Sequence, residues 1–140
     1  MSDNILLNLG HEPHFDKIRT DDIAPAMRSA MEEARRQIAQ IKAQNTTTWE
    51  NTVEQLTDIT EKVGRIWGVV AHLNSVVDTP ELRAVYNELM PEVTVFFTEI
   101  GQDIELYARF KAIKQSPEFA ALSPAQQTKL AHDLRGFVLS

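Results

Sequence analysis

The sequence contains no cysteine, so it carries no disulfide framework and no thiolate metal site. Basic residues are in deficit. Fourteen Lys and Arg stand against twenty Asp and Glu, a net charge of −6. Binding to nucleic acid or to an anionic membrane surface needs clustered Lys and Arg, so this balance argues against both as main partners. No uninterrupted apolar run reaches the ~18 residues of a membrane span. The opening stretch, residues 1–15, has no basic region and too short an apolar run for a signal peptide. A cytoplasmic protein fits these absences. Internal repeats are lacking too, which sets aside a repeat solenoid.

What is present suits one folded domain. The 140 residues are 43% hydrophobic and 24% charged, an ordinary globular balance that argues against disorder. Residues 1–19 show no helical period and read as an extended arm. Apolar spacings of three and four then predict helices at about 21–44, 48–77, 80–114, 117–122 and 124–139. The expected fold is all-α: one domain, an antiparallel bundle of long helices preceded by that arm.

Boundary residues support the helices. Asp21 and Asp22 suit a first helical turn, with Pro25 close behind. Thr47 and Glu50 have capping-box spacing, and the helix they open runs Val53, Leu56, Ile59, Val63, Ile66, Val70, Leu73. Gly64, Gly68, Ala71 and Ser75 form a small-residue stripe on it, where a neighbouring backbone could come close. Each glycine costs roughly 1 kcal/mol against alanine there. Thr79-Pro80-Glu81 starts the next helix across a short corner. Pro91 is expected to kink that helix. Ser123 and Gln126 form a second capping box around Pro124. The last helix meets no glycine or proline stop after its final apolar residues, which fits equally a polypeptide that continues and a natural terminal helix that frays.

Catalytic chemistry is not visible. His11-Glu12-Pro13-His14 lacks zincin geometry, because the residue four after His11 is Phe15 and Pro13 opposes a helix. His132 and Asp133 are adjacent, so their side chains diverge on a helix and read as surface charge. No Ser-His-Asp or Cys-His arrangement, phosphate loop or carboxylate pair stands out, and no catalytic or metal residue is assigned. His72 and Asn74 are the substrate-channel candidates, near the end of the second helix. Their bland alternative is capping or bridging to the next helix.

Four segments carry a resemblance. They are Pro13-His14-Phe15-Asp16-Lys17-Ile18-Arg19; Ile23-Ala24-Pro25-Ala26; Thr48-Trp49-Glu50-Asn51 leading to Gly64-Arg65-Ile66-Trp67; and His72-Leu73-Asn74-Ser75-Val76 with Pro80-Glu81-Leu82-Arg83. In this order the chain resembles the N-terminal helical domain of the thimet oligopeptidase family of zinc metallopeptidases. The resemblance implies a two-lobed helical parent that hydrolyses short peptides in a deep channel, with zinc held by a His-Glu-x-x-His helix. No position in this sequence matches that motif. The chain alone is therefore expected to be inactive and free of cofactor. It would form part of the wall limiting channel access, with the catalytic remainder of its own polypeptide as main partner. The alternative is a stand-alone helical interaction module. Uncovered apolar helix faces could also pair the chain as a dimer.

Overall fold

The computed structural model describes residues 19–137. The arm expected over residues 1–19 falls, but for Arg19, outside them. Six α-helices follow: α1 Thr20–Lys42, α2 Gln55–Val77, α3 Pro80–Gly101, α4 Ile104–Lys114, α5 Glu118–Ala121 and α6 Pro124–Gly136. A π-type segment, Trp49–Glu54, leads into α2. The fold is all-α as expected, with no strand among the described residues.

The apolar stripes make the core. Ile23, Met27, Met31, Ile38 and Ile41 of α1 meet Leu56, Ile59, Val63, Ile66 and Val70 of α2 in one cluster. Leu89, Val93 and Phe96 of α3 complete it, and Phe110 and Ile113 of α4 extend it. Full burial of such a side chain contributes about 1.5–3 kcal/mol.

Charges set α1 against α3. Arg28 donates to both Glu92 carboxylate oxygens at 3.1 and 2.8 Å and to Glu88 at 3.3 Å. Arg35 donates to Glu99 at 3.2 Å, and Lys42 to Asp103 at 2.8 Å. The partners advance together along both chains, so α1 and α3 run in the same direction. The Arg35 guanidinium also lies over the Phe96 ring, 5.4 Å from its centroid.

Between α2 and α3 the corner is Asp78-Thr79. Asp78 takes the left-handed conformation (φ 50°, ψ 51°), which aspartate tolerates better than most side chains. Thr79 accepts from the Leu82 N–H at 3.2 Å. α2 and α3 then double back, and Trp67 stacks on Tyr86 at 4.9 Å.

Three expected boundaries move. The capping box lies one residue later than Thr47–Glu50. Thr48 accepts from the Asn51 N–H at 3.1 Å, and Asn51 Oδ1 accepts from the Thr48 N–H at 2.8 Å. This frame buries Trp49 and leaves Glu50 exposed. The Thr47 hydroxyl is taken instead by Arg109, 3.0 Å away. The single helix expected over 80–114 is two. It continues through Pro91 and ends at Gly101, after which Asp103 accepts from the Leu106 N–H at 3.1 Å and starts α4. Asp103 is also the partner of Lys42, so the interruption is fastened to the end of α1. Finally, α6 stops at Gly136 rather than running to residue 139. Phe137 leaves in an extended conformation and meets Tyr107 and Phe110 edge-on at 5.6 and 5.3 Å.

Candidate functional site

His72 and Asn74 stand on the last turns of α2. Two residues apart on a helix, their side chains leave roughly 200° apart around the axis, so they do not converge. His72 is exposed. Asn74 is half-buried, and its Oδ1 is fully shielded with no hydrogen-bond partner. An unpaired buried acceptor costs about 1–3 kcal/mol, so Asn74 is the less easily explained of the two. It follows Trp67 by seven residues, placing it close to the same helix face, towards α3.

Two concave features lie elsewhere, beside α2 and α3 where α6 closes one end. One hollow of about 380 Å³ is floored by Leu56, Phe97, Ile100, Phe110 and Phe137. Thr57, Thr60, Glu61, Lys129, His132 and Asp133 form its polar border. A neighbouring hollow of about 630 Å³ lies against Trp67, Val93 and Thr98. Phe97, Gly101 and Gly136 line both, so the two make one groove. Its sequence signal is dispersed: Phe97 is one of many apolar positions on α3, and Glu61 one of several charged positions on α2.

Within this groove the charges are mostly satisfied. Lys129 donates to Asp133 at 2.8 Å across one turn of α6. Glu61 makes no ion pair among the described residues. The carboxylates with displaced titration lie outside it. Glu92 is held below the usual carboxylate range by its hydrogen bonds from Arg28, and Glu33 by those from Arg36. Both are structural ion pairs on open surface, so neither supplies a poised acid or base. Among the described residues no group of three or more His, Asp or Glu is gathered to hold a metal. Among the described residues the geometry offers an open groove and a buried acceptor without a partner.

The model of the neurolysin/thimet oligopeptidase N-terminal domain matches residues 27–140. The chain belongs to this family. Across 137 residues it is 38% identical to oligopeptidase A of Haemophilus influenzae, covering 98% of this chain and 20% of that protein. Escherichia coli oligopeptidase A is 34% identical over 138 residues, with 98% and 20% covered. The probable cytosolic oligopeptidase A of Arabidopsis thaliana is 34% identical over 140 residues, with 100% and 20% covered. The chain spans about a fifth of the length of the curated relatives it matches. Among the described residues no helix is long and apolar enough to cross a membrane.

Proposed function

We propose that this chain is a single helical domain serving as the non-catalytic N-terminal part of a cytoplasmic zinc-dependent oligopeptidase. In that role it forms part of the wall that limits access to a channel for short peptides. The family match over residues 27–140 carries the reading, because it is to an N-terminal domain. The zinc belongs to the remainder of the polypeptide, where it would acidify a bound water for attack on the peptide carbonyl. Among the described residues no group of three or more His, Asp or Glu is gathered to hold it, and no step of hydrolysis is assigned to them. His72 and Asn74 are proposed to face the channel. Asn74 is the less easily explained of the two as a purely structural residue, since its shielded Oδ1 has no hydrogen-bond partner among the described residues.

One experiment tests the reading. The reading frame that encodes this chain is expressed whole and assayed on short peptides, beside the 140-residue chain. The whole product is expected to hold zinc and to cleave with chelator sensitivity, and the 140-residue chain to do neither. Zinc-dependent cleavage by the 140-residue chain would overturn the proposal. In the whole product, His72→Ala and Asn74→Ala together are expected to shift the peptide preference more than the melting temperature. An unchanged preference with a lowered melting temperature returns them to structural roles.

A second reading, a stand-alone interaction module, draws on the uncovered groove beside α2 and α3. A reading frame without His-Glu-x-x-His would favour it.

A further inference from the structure

The groove along α2 and α3 is left open by every described part of this chain. Gly64 and Gly68 are exposed, and a Cβ built on either meets nothing within 4 Å. Glycine in a helix interior is unfavourable, and no close approach among the described residues accounts for it. Across the groove α3 presents Phe97, and Met90 lies beyond the lining; they stay 38% and 41% exposed. At 3.6 residues per turn they share a face of α3 with Thr94 and Gly101. The floor is apolar, α2 contributes Leu56, Thr57, Thr60, Glu61 and Trp67 to the lining, and Gly136 and Phe137 close one end. An apolar floor with a polar border, on a helix that also carries the exposed Gly64 and Gly68, suits the apolar face of an amphipathic helix.

We infer that this groove seats an amphipathic helix from the remainder of the same polypeptide, which lays apolar side chains along Trp67 and Phe97 and brings a basic residue to Glu61. Two observations fix the occupant. Relatives that match this chain along 98–100% of its length are about five times as long, so most of each lies beyond the matched part. Among the described residues Glu61 is a carboxylate of the groove without an ion pair, whereas Asp133 is already bonded to Lys129. The inference rests on the proposed role as one domain of a longer peptidase.

The absence of native cysteine in this chain makes the test direct. Gly68→Cys and Phe97→Cys are introduced singly into the whole product of the reading frame and into the 140-residue chain. Maleimide labelling of each is then timed and located by mass spectrometry. Both probes are expected to react about tenfold or more slowly in the whole product, while Asp58→Cys, off the groove, reacts alike in both. Adding Gly68→Leu is expected to restore fast labelling at Phe97→Cys in the whole product and to leave the melting temperature of the 140-residue chain undiminished. Glu61→Lys is expected to speed labelling in the whole product alone. Equal labelling rates in a whole product that cleaves peptides would overturn the groove assignment and leave the proposed function standing. Protection within the 140-residue chain that disappears on dilution would overturn it in favour of a second copy. A whole product without peptidase activity would remove the functional reading, a result the labelling does not imitate.

Discussion

At the scale of single residues, Arg109 does most to join distant parts. Its guanidinium donates to the carbonyls of Lys42 and Gln44 at 2.8 and 2.7 Å and to the Thr47 hydroxyl. It thereby satisfies backbone groups where α1 ends and the chain turns towards α2. Arg109→Met leaves two part-buried carbonyls without these donors and should lower stability by about 2–3 kcal/mol. Arg109→Lys should recover only part, because an ammonium lacks the planar fork that spans three acceptors. Chemical denaturation of the three proteins decides this; a lysine variant equal to the wild type would refute the fork argument. Nothing in the sequence marked Arg109. It is one of several basic residues on helical positions, and its partners stand more than sixty residues away.

Elements were legible where their determinants are local. The stripes of α1 and α2, the Thr79-Pro80 start of α3 and the Ser123–Gln126 box all follow from neighbours in sequence, and the structure contains each. Failures came where a remote side chain decides between two local solutions. Thr47–Glu50 and Thr48–Asn51 are both plausible caps. Tertiary partners settle the matter: Arg109 takes Thr47, while Glu118 accepts from the Trp49 N–H at 3.2 Å. Thr48→Ala should therefore cost about 1 kcal/mol through the lost cap, and Glu50→Ala close to nothing. Thermal melts of the two variants measure the difference, and a larger loss from Glu50→Ala would restore the earlier frame. The break before α4 was written in Gly101-Gln102-Asp103, a plausible stop and cap. An unbroken apolar period across it, from Phe96 and Ile100 to Ile104 and Tyr107, concealed the signal. The structure leaves Ile104 68% exposed, so that period was partly fortuitous. The groove was less legible still, because its lining comes from four helices and its meaning depends on what lies against it.

For the whole molecule, the ion pairs between α1 and α3 make stability depend on pH. Arg28 holds the Glu92 carboxylate below its ordinary range, chiefly through hydrogen bonding. A lowered carboxylate contributes stability above its unfolded pKa, and this is lost as pH falls through the folded value. Arg28→Ala should thus melt below the wild type near neutral pH. The gap should close between about pH 5 and about pH 3. Both side chains are substantially exposed (46% and 40%), so the gap should be small and should shrink with added salt. Melting curves at a series of pH values follow it; a gap that widens in acid would contradict the assigned pairing.

The ties of Lys42 to Asp103 and to Arg109 span 61 and 67 residues. On a ribosome the end of α1 is therefore made well before its anchors exist. At about 5–20 residues per second, Arg109 is added roughly 3–13 s after Lys42. Only after Val77 has been added, about half-way through that interval, do Ile38 and Ile41 have the whole of α2 as a shelter, so the hairpin of α1 and α2 can form well before α4 arrives to lock it.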